Sequence, residues 1–372
     1  MPHQLEKRRP AVSAGLPEFP WDTLADAKAL AGAHRDGIVD LSVGTPVDPV
    51  APVIQEALAA AASASGYPAT AGTARLRESA VAALDRRFGI TGLAEAAVLP
   101  VIGSKEFIAW LPTLLGLGPA DVIVVPELAY PTYDVGAMLA GARVLRADSL
   151  TQLGPQSPTL YYLNSPSNPT GRVLGLDHLR KVVGWARDRG CVVASDECYL
   201  GLGWDDQPLS VLHPSVCDGD HTGLLAIHSL SKSSSLAGYR AGFVAGDPDL
   251  VAELLAVRKH AGMMVPTPVQ AAMVAALDDD AHELAQRERY ERRRAILLPA
   301  LRSAGFAVDH SEAGLYLWAT RGEPCHDSVA WLAQRGILVA PGDFYGPRGA
   351  QHVRVALTAS DERIAAAVAR LT

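Results

Sequence analysis

The sequence predicts an α/β protein, with a large unit holding a mostly parallel sheet between helices and a smaller α+β unit. Three observations carry this expectation. Short apolar, β-rich runs alternate with helical stretches through the middle of the chain, the pattern of a sheet covered by helices. Several of those runs are almost continuously apolar, as strands buried on both faces must be. The last third changes character, to long helices followed by short strands. A length of 372 residues favours two domains, and 49% hydrophobic against 20% charged residues excludes a disordered chain.

Taken in order, Ile38–Val43 is an extended run too short for a core of its own, and it is assigned to the smaller unit. Seven strands of the large unit are expected at Val98–Ile102, Val122–Val125, Arg143–Arg146, Leu160–Leu163, Val192–Ala194, Leu224–His228 and Gly242–Ala245. Helical patterns at Glu106–Leu115, Tyr133–Ala140 and Leu176–Arg189 fall between them. A helical region then runs from about Asp249 to Ala304. Pro266 and Pro268 must interrupt it, because proline lacks an N–H and its ring clashes with the preceding turn. Within this region Glu283–Arg294 is dense in charge and reads as a solvated helix face. Strands near Gly314–Trp318 and Val353–Leu357, with helices near Asp327–Arg335 and Asp361–Leu371, complete the smaller unit.

Charge and cysteine content remove several function classes. The formal net charge is −7, whereas a general nucleic-acid binder is basic. The Lys7-Arg8-Arg9 cluster reads as a solvated terminus. Cys191, Cys198, Cys217 and Cys325 form no C-x-x-C pair, so neither a zinc ribbon nor a thioredoxin-like motif is present, and four cysteines are too few for a disulfide scaffold of this length. The N-terminus has no apolar segment of the secretory type, and no apolar run reaches the roughly 18 residues of a membrane span, so a cytoplasmic location is expected.

Three stretches at the ends of predicted strands carry the chemistry. Ser229-Leu-Ser-Lys232 follows the strand Leu224–His228, with Arg240 eight residues further on. Ligands of open α/β sheets bind beyond such strand ends. Hydroxyls and an arginine suit a phosphate dianion, and a lysine used covalently needs a desolvated or cationic setting. Asp196-Glu197-Cys198-Tyr199 lies at the end of another strand, where an acid can cap a helix, bind a metal or hold a protonated ring nitrogen. Asn164-Ser-Pro-Ser-Asn168-Pro-Thr-Gly171, after Leu160–Leu163, is a turn whose asparagines can donate to an anionic oxygen. The spacings are 28 residues from Asn168 to Asp196 and 36 from Asp196 to Lys232.

Together, N-x-x-N-P-T-G, D-E-x-Y, and S-x-S-K with its following arginine resemble the class I and II aminotransferases, which use pyridoxal 5′-phosphate (PLP) in the fold type I architecture. The resemblance covers the chain from about Gly44 to its end. It implies that Lys232 attaches to the cofactor and later moves protons. It implies that Asp196 holds the ring nitrogen, that Asn168 and Tyr199 bond the phenolic oxygen, and that Ser229, Ser231 and Arg240 hold the phosphate. Gly103, Ser104 and Lys105 match a second phosphate loop at a helix start, and Tyr130 matches a ring stacked on the cofactor. Tyr67 matches a residue that reaches the neighbour's phosphate, which implies a homodimer with its active sites at the interface. Arg354 and Gly44 match the groups that receive the substrate α-carboxylate, with Asn168 beside them. The motif order then cuts the chain into a tail without fixed structure at 1–16, a large PLP-binding domain at 50–255, and a small domain made of 17–49 with 256–372.

The opening Leu16–Leu24 with Asp40–Pro49, and the ending Ala340–Gly346 with Val-Arg354-Val-Ala-Leu-Thr, are similar to a narrower group, the actinobacterial N-succinyldiaminopimelate aminotransferases. That likeness implies glutamate as amino donor and N-succinyl-2-amino-6-oxopimelate as acceptor. Such a substrate needs further cations; Arg321, Arg348 and Lys259 are candidates, although each also reads as a surface charge. Another amino-acid transaminase or a PLP-dependent carbon–sulfur lyase would share every cofactor residue. A non-catalytic relative is opposed by the intact lysine and aspartate. Ser229-x-x-Lys232 also reads as the S-x-x-K of serine acyl-enzymes, but the companion S-D-N and K-T-G strings are missing.

Overall fold

The computed structural model describes residues 11–372. The Lys7-Arg8-Arg9 cluster and most of the expected tail lie outside them; the remainder of that tail includes an exposed 3-10 turn at Val12–Gly15. No helix of the described residues is long and apolar enough to cross a membrane.

The seven strands of the large sheet lie in the order Val98–Ile102, Ala241–Gly246, Leu224–Ser229, Val192–Asp196, Leu160–Asn164, Val122–Val125, Arg143–Arg146. All run parallel except Ala241–Gly246, which is antiparallel to both of its neighbours. The central strands are buried along their whole length because both faces are covered. Successive residues point to opposite faces, so Leu224 and Ala226 enter one core while Leu225 and Ile227 enter the other. On one face pack Ser104–Leu114, Thr132–Ala140 and Pro248–Ala261; on the other, Ala74–Phe88, Leu176–Arg187 and Thr267–Asp278. The edge strand Arg143–Arg146 carries the arginines and is partly exposed, as an unpaired edge tolerates.

The smaller unit is built on an antiparallel sheet in the order Ala340–Pro341, His352–Ala356, Tyr316–Thr320, Ala307–Asp309. The expected run at Ile38–Val43 condenses to Val39–Asp40, which pairs in parallel with Ile337–Leu338. Leu24, Val39 and Leu41 share a core with Leu317, Val355 and Leu371, so both ends of the described chain meet there.

Three details depart from the sequence expectations. The helical region after Asp249 is three helices, Pro248–Ala261, Thr267–Asp278 and Asp280–Ser303, with a second break at Asp279. The Asp279 carboxylate caps the last helix by accepting from the Ala281 and His282 N–H groups. Residues 256–278 do not pack as part of the smaller unit: Val265, Ala272, Met273, Ala276 and Leu277 lie in the core under the large sheet. The charged face at Glu283–Arg294 is also not simply solvated. Gln286, Tyr290 and Arg293 are buried in it, and Arg293 bridges Asp48 and Asp361 at 2.6 Å each. Burial alone would raise the Asp48 carboxyl, but the hydrogen bonds from Arg293 and Gln286 outweigh it and hold its pKa below the ordinary value.

Candidate active site

The carboxyl ends of three adjacent parallel strands deliver the first site residues. Register pairs Asn164 with Asp196, and Ser229 ends the next strand. Ser229 Oγ accepts from the Ser231 N–H at 3.2 Å and so starts the one-turn helix Leu230–Ser233 that carries Lys232. Lys232 Nζ donates to the Gly44 carbonyl, and the Tyr290 hydroxyl donates to the Lys232 carbonyl at 3.0 Å. Burial, reinforced by Arg354 and Arg240, pushes the Lys232 pKa down, and Tyr316 and Cys198 oppose this only in part. Enclosure thus favours the neutral amine, the form that can attack a carbonyl or accept a proton.

Asp196 is buried without a cationic side chain bonded to it. The Tyr133 hydroxyl donates to its Oδ2 at 2.8 Å and the Cys198 N–H to its Oδ1 at 3.2 Å. Burial raises its pKa, and those donors offset the rise only partly. A protonated nitrogen arriving in the cavity would supply the missing counter-charge. Asn164 ties the neighbouring loop to it, donating to the Asp196 carbonyl at 2.9 Å and accepting from the Asn168 N–H at 2.7 Å.

Arg354 lies across the cavity on the strand His352–Ala356. Its Nη1 donates to Asn168 Oδ1 at 3.0 Å and its Nη2 to the Ser42 carbonyl at 2.7 Å. The guanidinium lies 3.9 Å from the Tyr316 ring centroid and 5.0 Å from that of Tyr345. Its buried Nε has no hydrogen-bond partner. A buried guanidinium with an N–H unused is a ready seat for a carboxylate. Gly44 is required next to it: a Cβ there would overlap the Tyr316 hydroxyl.

Ser104, Lys105, Ser229, Ser231 and Arg240 gather hydroxyls and cations along the same cavity, which has a volume of about 450 Å³. Gly103 precedes the helix Ser104–Leu114 at φ +77°, and a Cβ there would collide with the Arg240 guanidinium. Desolvation and then the Arg240 charge lower the Lys105 pKa. Such a group of hydroxyls, cations and helix-start N–H groups suits a phosphate dianion.

The structure therefore brings Gly44, Ser104, Lys105, Tyr130, Asn168, Asp196, Tyr199, Ser229, Ser231, Lys232, Arg240 and Arg354 to one cavity, with Gly103 behind Arg240. It does not bring Tyr67, which is 97% exposed. Arg321, Arg348 and Lys259 do not line the cavity either. Arg321 lies 4.5 Å from the Trp331 ring centroid, and Arg348 is 3.7 Å from Glu127 on the surface. Sequence reasoning missed Tyr133 and Tyr316, whose hydroxyls meet Asp196 and, at 3.1 Å, Tyr199. It also missed Trp21 and Cys198 in the cavity wall. Burial pushes the Tyr130 hydroxyl up to about 12, so it stays a neutral phenol.

The family described as "Aminotransferase class I and II" matches residues 36–371. A Mycobacterium tuberculosis protein named as a probable aminotransferase is 85% identical over 364 residues, covering 98% of this chain and 87% of that one. The 4-dedimethylamino-4-oxo-anhydrotetracycline transaminase of Streptomyces rimosus is 60% identical over 357 residues, covering 96% and 99%. Among solved structures, a probable N-succinyldiaminopimelate aminotransferase of Thermus thermophilus superposes with a TM-score of 0.85 at 28% identity, covering 95% and 99%. With this match across nearly the whole chain, the fold and the ordered motifs, the protein belongs to the class I and II aminotransferases: a PLP-dependent transaminase of the fold type I architecture.

Proposed function

We propose that this transaminase moves the amino group of glutamate to N-succinyl-2-amino-6-oxopimelate, giving N-succinyl-LL-diaminopimelate and 2-oxoglutarate. The observation that carries the reading is the depth of the site. Beyond Tyr130 and Lys105 a second cavity of about 340 Å³ adjoins, bordered by Phe19, Trp21, Lys28 and Lys105, with the Asp40 carboxylate, which accepts from Ser42, also on its wall. A short amino acid held at Arg354 leaves that space empty, whereas a long acceptor with a distal carboxylate uses both its volume and its cations. The Thermus thermophilus structure, which carries the same activity in its name, supports this.

The residues present fit PLP. The donor set at Ser104, Ser229, Ser231 and Arg240 suits its phosphate, the uncompensated Asp196 suits a protonated pyridinium, and the desolvated Lys232 suits its aldehyde. When bound, the cofactor supplies a ring that withdraws electrons from the substrate's α-carbon. Arg354, itself held by the Ser42 carbonyl, would receive the substrate carboxylate beside Gly44. Lys232 Nζ would accept and return the proton of the exchange, and its burial, which lowers its pKa, favours the free base that this requires. Asp196, its carboxylate fixed by Tyr133, would hold the ring nitrogen in its protonated form. Asn168 and Tyr199 would hold the phenolic oxygen, and Tyr130 would lie against the ring. The proposed assembly is a homodimer in which Tyr67 reaches the neighbouring site.

A second reading has one observation in its favour. The Streptomyces rimosus relative, 60% identical, is named for a polycyclic ketone, and Phe19 and Trp21 give the adjoining cavity an aromatic wall. A half-reaction panel separates the readings by following cofactor absorbance on adding glutamate, N-succinyl-LL-diaminopimelate, a polycyclic amine, aspartate, aromatic amino acids or cystathionine. The first two should convert the cofactor, and borohydride should fix it to Lys232. No response to the succinylated compound removes the substrate assignment while leaving the class. Pyruvate and ammonia from cystathionine without a keto-acid acceptor would indicate a lyase. Ordinary turnover by Lys232→Ala would refute the role of the lysine.

A further inference from the structure

Among the described residues, one group of metal-ligating side chains lies outside the cofactor cavity: Cys325, His326 and Asp343. One ligand atom from each lies within 4.8 Å of the other two. From this juxtaposition we infer that the smaller unit carries a binding site for a zinc-class divalent cation, formed by Cys325 Sγ, His326 Nε2 and Asp343 Oδ2.

Local structure has already collected the ligands. Cys325 and His326 open the helix Cys325–Ala333, whose N-terminal end favours the charge of a thiolate. Asp343 comes from the 3-10 turn Gly342–Tyr345, directly after the strand Ala340–Pro341. His326 Nε2 and Asp343 Oδ2 are 2.7 Å apart. The Asp343 carboxylate and the N–H groups of Gly342 and Asp343 lie near the Cys325 thiol. Burial holds the thiol pKa up, with the Asp343 charge adding to it and the N–H groups opposing. A cation between them would reverse that balance, since a coordinating thiol is deprotonated.

The donor set selects the metal class. Thiolate with imidazole and carboxylate suits zinc, whereas magnesium and calcium take oxygen ligands. Tetrahedral ligands about 2.0–2.3 Å from a zinc ion lie roughly 3.3–3.7 Å from one another. Small side-chain movements reach this arrangement: the His326–Asp343 pair opens and the thiol turns outward. Cys325 is buried, while His326 and Asp343 are exposed, so the ion enters from solvent and keeps water in its fourth position. On binding, the Cys325 S–H bond breaks as the S–metal bond forms, and its proton goes to solvent. His326 ligates as the tautomer protonated at Nδ1, and no electron is transferred.

Occupancy bears on the active site through the turn itself. Phe344 lies 5.7 Å from Trp21 between ring centroids, and Tyr345 lies under the Arg354 guanidinium. An ion on Asp343 therefore stiffens the wall against which the substrate carboxylate is held.

The test is calorimetric titration of Zn²⁺ into the PLP-loaded enzyme, in two buffers of different ionisation enthalpy. One ion per chain with about one proton released is expected. Cys325→Ser and His326→Ala should each weaken binding at least tenfold. His326 is 61% exposed, so its replacement does not threaten the fold. Absence of micromolar binding to the wild-type enzyme, or unchanged affinity in either variant, would overturn the site.

Discussion

At the residue scale, Tyr133 decides how well Asp196 is held. Its hydroxyl donates to that carboxylate at 2.8 Å, beside the Cys198 thiol and N–H. Burial and the adjacent Asp196 charge keep Tyr133 protonated far above its ordinary pKa, so it remains a donor across the working range. Loss of one hydrogen bond to a buried charged group costs about 1.5–3 kcal/mol. Tyr133→Phe should therefore lower kcat by roughly tenfold to a hundredfold, with a weaker effect on KM, as steady-state kinetics would show. An unchanged kcat would mean that Cys198, through its thiol and N–H, positions Asp196 without Tyr133. Asp196 and Lys232 were marked in the sequence by short ordered strings, and Arg354 only by the family resemblance those strings carry. Tyr133 and Tyr316 were not. Each acts on a partner more than 60 residues away, and only the packing of the helix Thr132–Ala140 or the strand Tyr316–Thr320 against the cavity selects it.

At the scale of elements, the strand ends that carry the site also carry a strained neighbour. Glu197, one residue after Asp196, and His228, one residue before Ser229, bring Oε2 and Nε2 to 3.8 Å, and neither atom has a hydrogen-bond partner. Burial pushes Glu197 up to about 7 and His228 down to about 3. The two have opposite effects on stability. Between its unfolded value of 4.5 and about 7, Glu197 binds more proton in the folded state, so its contribution is present at low pH and is lost as pH rises through 7. His228 binds more proton when unfolded, so stability is lost as pH falls from 6.5 towards 3. Glu197→Gln should remove only the first effect. Relative to wild type, the variant should gain on the order of 3 kcal/mol between pH 5 and pH 8. Denaturant titrations at the two pH values would measure this, and a gap that does not change with pH would contradict it. The large-sheet strands were readable because complete burial writes itself as apolar runs. The break at Asp279 was less so: its signal is an N-cap inside the run Asp278-Asp279-Asp280, and charge density masked it.

For the whole molecule, the open question is assembly. Tyr67 is 97% exposed, far more than the other exposed large aromatic residues, Phe19 and Trp110. A tyrosine serving a neighbouring active site is left exposed in just this way by one chain alone. The protein should sediment as a dimer, and Tyr67→Phe should remain dimeric while losing PLP several-fold faster on dialysis. A monomer by light scattering would exclude the arrangement. The charge balance of the sequence is acidic overall, and it hid the local gathering of basic side chains at Lys105, Lys232, Arg240 and Arg354. Whole-chain charge averages over just the distance that a buried site separates from solvent. The boundary near residue 256 was misplaced for a related reason: the helix Thr267–Asp278 has the composition of either unit, and only its packing under the large sheet assigns it.

The pairing of Val39–Asp40 with Ile337–Leu338 sets the order in which the molecule can be finished. A ribosome delivers the first of these strands nearly a whole chain before the second. The large sheet, whose strands end by Gly246, can close while the smaller unit still lacks its partner segments. Nascent chains should therefore pass through a stage in which the Lys232 loop has formed but the Arg354 wall is missing. At that stage the cofactor groove faces solvent, and the long contacts between the chain ends make the final step the slow one.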